Sequence, residues 1–156
     1  MRLLSLLFTI LLLSACSTSY QNKNVDGLSL PTMQGQTLEE KSIEIPAMLQ
    51  NSLTLLLVGY KQNTQFDIDR WLIGLGMTKT KVDAYEIPAI QGMFPRMFKT
   101  QINNGMRRGI PKELWKGVIT LYGDGEVMQA FTGNENANNA RVILINKQGK
   151  ILYFYD

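Results

Sequence analysis

The chain of 156 residues contains one cysteine, Cys16, and no histidine. A single thiol makes neither an intrachain disulfide nor a Cys-x-x-Cys redox pair. Without histidine the commonest general base and the commonest metal ligand are gone, which excludes Ser-His-Asp triads and zinc sites; no metal or other cofactor is implied. Carboxylates offer two acid–base pairs, Asp67 with Asp69 and Asp124 with Glu126. Side chains two apart on a helix do not face each other, so Asp67 and Asp69 read as cap and surface, and Asp124-Gly125 reads as a turn. Two clusters suit binding better. Lys61, Gln62, Asn63 and Thr64 precede a helix start, where free backbone N–H groups and the helix dipole favour an anion or a partner carbonyl. The basic stretch Arg96, Lys99, Arg107, Arg108, Lys112 and Lys116 has Glu113 as its sole acid and is interleaved with Met93, Phe94, Met97, Phe98 and Met106. Such a mixture suits anionic headgroups or an acidic protein surface. The plainer reading is that Thr64 merely caps a helix, and that Phe94, Met97, Phe98 and Ile102 form a core stripe.

Cys16 has a context of its own. Arg2 supplies a positive start, Leu3 to Leu13 is an apolar run broken only by Ser5 and Thr9, and Leu13-Ser14-Ala15-Cys16 closes it. The run is too short to span a bilayer core of about 30 Å, which takes about 20 residues as a helix, and it has the form of a signal-peptide core. The tetrad resembles a bacterial lipobox. That resemblance implies cleavage before Cys16, a diacylglyceryl thioether on its sulfur and a third acyl chain on its new amine. The sulfur would then be consumed, leaving no cysteine nucleophile, and three chains would hold the protein stably where one would not. Residues 1–15 are thus expected to be the signal peptide, 16–26 the lipidated cysteine and a flexible polar tether, and 27–156 one domain.

The rest of the chain supplies the elements that position these residues. Apolar positions from Leu28 to Ile45, with Gly35 in a turn, predict an N-terminal β-hairpin. Leu53 to Tyr60 is nearly unbroken apolar sequence, as in a parallel strand buried on both faces. Thr64-Gln65-Phe66-Asp67 has the form of a capping box, and Ile68, Trp71, Leu72 and Leu75 recur at helical spacing, which predicts a helix ending near Gly74 or Gly76. Lys81 to Ile87, closed by Pro88, is a second strand, and a strand-helix-strand unit of this size favours a parallel crossover. Gln91 to Met106 reads as one helix with Pro95 in its first turn. Val118 to Tyr122 reads as a short strand, Asp124 to Phe131 as helix or loop. Arg141 to Asn146 and Lys150 to Tyr155 form a hairpin about Lys147-Gln148-Gly149.

This order, an α/β arrangement of a central mixed sheet flanked by helices with a hairpin at each end, resembles the thioredoxin-like fold in its peroxiredoxin-type form. Leu53 to Trp71 (LTLLLVGYKQNTQFDIDRW) is similar to its first core strand, active loop and first helix, and Arg141 to Leu152 (RVILINKQGKIL) to its last hairpin, which in peroxiredoxins commonly follows an arginine. The departures are chemical. Thr64-Gln65-Phe66-Asp67 stands where cysteines would be expected, Arg141 or a neighbour stands where thioredoxins place a cis-proline, and the sequence stops at Asp156, before a final helix. The Leu53-Thr54-Leu55 strand start, Trp71 and the basic final turn also resemble a cysteine-free branch that includes the mitochondrial assembly factor for the ATP synthase membrane sector. That resemblance implies assembly or chaperone-like work.

The expected protein is therefore a binder rather than an enzyme, anchored to the membrane by its lipid and facing the periplasm, with an envelope protein as partner. Ser17 after the cysteine fits the enteric pattern of outer-membrane sorting. A net charge of +3 is a small excess and makes no nucleic-acid surface. The alternatives are an envelope enzyme using carboxylate or lysine chemistry, or a small-ligand-binding module.

Overall fold

The computed structural model describes residues 20–156, so the apolar run and Cys16 lie outside the described residues. The strands are β1 (Met33–Thr37), β2 (Ser42–Ile45), β3 (Leu53–Gly59), β4 (Asp83–Pro88), β5 (Ile119–Thr120), β6 (Arg141–Asn146) and β7 (Ile151–Tyr155). The helices are α1 (Gln65–Met77), α2 (Met93–Met97), α3 (Lys99–Gly109) and α4 (Gly125–Thr132), with 3-10 turns at Gln62–Thr64 and Lys112–Gly117. One sheet has the order β4-β3-β6-β7 and a second β2-β1-β5. Parallel bridges between Glu86 and Val118 and between Ala89 and Leu121 join them edge to edge.

The apolar run in β3 does what its composition requires. It pairs parallel with β4 and antiparallel with β6, which makes it central. Its side chains alternate between two cores: Leu56 and Val58 join Ile87, Met128, Ile143 and Ile145, whereas Leu55 and Leu57 join Ile68 and Val142 under α1. Full burial of a leucine contributes about 1.5–3 kcal/mol, so β3 anchors both layers. Register places Tyr155 opposite Val142 and Tyr153 opposite Leu144, hence on the α1 face of the sheet. Both tyrosines are exposed there.

Several local expectations need correction. α1 runs on to Met77 because Thr78 caps it, donating from its hydroxyl to the Gly74 carbonyl at 2.9 Å. Lys79 then takes a left-handed conformation, and Lys79 N–H to Gly76 O and Thr80 N–H to Leu75 O complete a Schellman motif without glycine. The long helix over 91–106 is two helices, because Phe98 (φ −109, ψ 20) interrupts it. A break rotates the helical period, so the expected core stripe does not stay on one face: Met97 and Phe98 are exposed, and Ile102 is half-buried. Asp124 to Phe131 resolves as helix, with α4 beginning at Gly125 and the Asp124 carboxylate accepting from Gln34 N–H at 2.6 Å.

The flexible tether expected up to Asp26 is also corrected, for Tyr20 to Asp26 lies on the domain. Asn134 N–H donates to Tyr20 O at 2.8 Å, Lys23 N–H to Thr132 O at 3.1 Å, and Val25 is buried in the core. Further along, Leu28 and Leu30 bond to Ile151 and Gly149. The segment thus forms a strap over the end of α4 and the core, from the end where β3 stops to the end where β7 begins.

Candidate functional site

The polar loop singled out in the sequence sits where β3 ends and α1 begins. Lys61, Gln62 and Asn63 are exposed on the 3-10 turn, but Thr64 is 1% exposed and makes no cap. Its hydroxyl donates across to the Ala137 carbonyl at 3.1 Å. Asp67, one turn on, accepts from Ala140 N–H at 3.3 Å and pairs with Arg70. The capping-box residues therefore tie the head of α1 to the segment that feeds β6. The Asp69 carboxylate accepts from Gln65 at 2.9 Å, so Asp67 and Asp69 form no acid–base pair.

Beneath this rim lies a buried polar layer. The hydroxyls of Tyr60 and Thr132 share a hydrogen bond of 2.8 Å. Burial, only partly offset by Thr132 and by the positive Arg141, pushes the Tyr60 phenol well above its ordinary range. Arg141 is fully buried, donating from Nε to Gly133 O at 3.1 Å and from Nη2 to Asn22 Oδ1 at 2.7 Å, and it pairs with Asp156. Burial depresses its pKa while Tyr60 and Glu135 oppose the shift. An arginine remains charged throughout physiological pH. Arg141 thus gathers the strap, the segment before β6 and the end of β7 into one clamp.

Beside the clamp a cleft of about 310 Å³ is lined by Asp67, Arg70, Trp71, Asn139, Ala140, Tyr155 and Asp156. Trp71 and Tyr155 meet edge to face with centroids 6.0 Å apart. Sequence reasoning missed this cleft. Its one signal was the period-two placing of Tyr153 and Tyr155, which aligns them with Leu144 and Val142. Two aromatic rings with a guanidinium and carboxylates at the mouth suit contact with a peptide or side chain.

The six basic residues do not form one patch. Arg96 donates to Tyr122 O at 2.8 Å and Gly123 O at 2.7 Å, beside the end where β4 stops. Lys99 begins α3 there, its carbonyl accepting from Tyr122 at 3.2 Å. Burial pushes the Tyr122 phenol up to about 12. Arg107 lies eight residues along α3 from Lys99, about 12 Å at 1.5 Å per residue. It donates to Leu38 O at 2.8 Å, pairs with Glu40 at 3.0 Å and stacks 5.5 Å from the Trp115 ring centre. Arg108, Lys112 and Lys116 are exposed in that second group.

No family model matches the chain, and no curated protein sequence matches it. Solved structures do match in fold. The thioredoxin domain of a thiol-disulfide oxidoreductase from Bacteroides vulgatus is 14% identical with a TM-score of 0.53, over 86% of this chain and 90% of that one. A SCO1/SenC family lipoprotein from Bacillus anthracis is 12% identical with a TM-score of 0.54, over 83% and 85%. BsSco, a member of the Sco family of cytochrome c oxidase assembly proteins, is 13% identical with a TM-score of 0.52, over 86% and 87%. The fold is thioredoxin-like, as its mixed sheet, flanking helices and antiparallel hairpin require. Identities this low carry the architecture and no activity. Among the described residues no helix is long and apolar enough to cross a membrane.

Proposed function

We infer that this chain is a lipid-anchored, redox-inactive binding protein of the bacterial envelope, serving in assembly or chaperone-like work on an envelope complex. The observation that carries this reading is chemical. At the end of β3, where a thiol-disulfide version of this scaffold would hold its cysteines, the rim is Lys61-Gln62-Asn63 and the Thr64 hydroxyl is already committed to Ala137. What remains exposed is a cation and two amides beside an aromatic cleft, groups that recognise rather than react. Structural neighbours described as a lipoprotein and as a member of an assembly-protein family support the same reading.

A photo-crosslinking residue at Gln62, expressed in the full chain in cells, tests it. One defined envelope complex should be captured, and the triple change Lys61→Ala, Gln62→Ala, Asn63→Ala should abolish capture. Turnover of an envelope substrate with no protein captured would overturn the binding role, as would reduction of a test disulfide by the purified protein.

A further inference from the structure

The strap fixes the place of Tyr20, the first described residue. Tyr20 is held by Asn134 at the end of the sheet where β3 and β4 stop and β6 begins. Only Ser17, Thr18 and Ser19 separate Tyr20 from Cys16. Fully extended, four residue steps span at most about 14 Å. Tyr20, and with it this end of the sheet at the β6 side, therefore stands within that distance of Cys16.

The same end carries strongly exposed apolar side chains next to the exposed cation of Lys99. Met93 is 77% exposed, Met97 70% and Phe98 48%, on α2 and the break after it. Their place is fixed by Arg96, which grips the carbonyls of Tyr122 and Gly123 just past β5, and by the Ile90 N–H bond to Leu121 O. Residues 91–112 include no carboxylate at all. Lys99 is exposed at the head of α3, and Lys61 and Phe66 are exposed at the neighbouring head of α1. Flexible methionines and a phenylalanine flanked by arginine and lysine have the composition of a segment that rests in an anionic headgroup layer.

We propose that the sheet end bearing α2 docks on the bilayer surface, with Met93, Met97 and Phe98 among the headgroups of anionic lipid and Arg96 and Lys99 at their phosphates. The proposal rests on lipidation of Cys16 and deepens the functional reading, because it sets the Lys61–Asn63 rim at membrane level, where a membrane-embedded partner is reached. The second basic group, at Arg107 to Lys116, then faces away from the membrane.

The test uses the lipidated protein in vesicles of about three parts phosphatidylethanolamine to one part phosphatidylglycerol. Met97→Cys is labelled with a polarity-sensitive dye, and Lys147→Cys, in the turn at the opposite sheet end, is its control. With the Cys16 sulfur in a thioether, the unsubstituted chain takes up no dye; uptake there would refute lipidation itself and is read separately. Lipid-borne quenchers should reduce emission from position 97 several-fold more than from position 147. Exchanging phosphatidylglycerol for phosphatidylcholine should shrink that difference. Equal quenching at both positions overturns the docking. So does a label at 97 that is shielded in cells but not in protein-free vesicles, which would assign the surface to a protein. Quenching indifferent to lipid charge overturns the role of Arg96 and Lys99.

Discussion

Replacing Arg141 with methionine removes the clamp while keeping an apolar stem of similar volume. The guanidinium is fully buried and serves Gly133 O at 3.1 Å, Asn22 Oδ1 at 2.7 Å and the Asp156 carboxylate. Hydrogen bonds to charged groups contribute about 1.5–3 kcal/mol each, but much of that is offset because the charge no longer has to be desolvated. Asn22 and Asp156 are exposed and rehydrate without cost. Gly133 is buried, and its carbonyl keeps only the Thr132 hydroxyl at 3.0 Å, a loss of about 1.5 kcal/mol. Loosening of the strap adds to it. We expect Arg141→Met to lose about 2–3 kcal/mol in urea unfolding followed by tryptophan fluorescence, with the denaturant slope unchanged. Arg141→Lys should recover only part of that, because an ammonium cannot supply the planar fork. Amide exchange gives the second readout: Lys23 and Asn134, which bond across the strap, should lose protection before the β3 amides do. A stability change below about 0.5 kcal/mol with protection intact at both amides would refute the clamp, since side-chain hydrogen bonds of ordinary strength could not then be holding the segment.

Gly133 has φ +69 and ψ 166, a region almost confined to glycine, and an added Cβ would lie 1.9 Å from the Gln21 carbonyl. Gly133→Ala should therefore cost about 1–3 kcal/mol and release the strap, which increased proteolysis between residues 20 and 26 would report. Burial, opposed by a hydrogen bond from Gln65, raises the pKa of Glu86. The folded state then binds the proton more tightly than the unfolded one, so this group's contribution falls as pH rises through and just above the ordinary glutamate range. Glu86→Gln should be the more stable protein at neutral pH and lose its advantage in acid, as paired unfolding curves would show. Tyr122, pushed up to about 12 by burial, favours the folded state less as pH climbs past the ordinary phenol value, and Tyr122→Phe should delay alkaline unfolding.

Legibility in the sequence followed the range of the interactions. The β3 run was readable because a strand buried on both faces needs apolar residues at every step, and β6 with β7 because a glycine turn joins two β-rich runs. What escaped was written in distant partners. Asn22 and Arg141 are 119 residues apart in the chain, so a segment that looks like linker by composition becomes a strap only once Gly133 and Asn134 lie beneath it. Thr64 shows the same limit at the site. Its position ahead of an acidic residue satisfies the local pattern of a cap, yet its hydroxyl finds the Ala137 carbonyl instead, and α1 starts without it. The basic stretch escaped for a different reason: neighbours along the chain need not be neighbours in space, and most of α3 lies between Arg96 and Arg107. That separation gives the two groups different work. Arg107 is committed to Leu38, Glu40 and Trp115, whereas Arg96, gripping the Tyr122 and Gly123 carbonyls, holds exposed methionines at the end of the sheet where Tyr20 is also bonded.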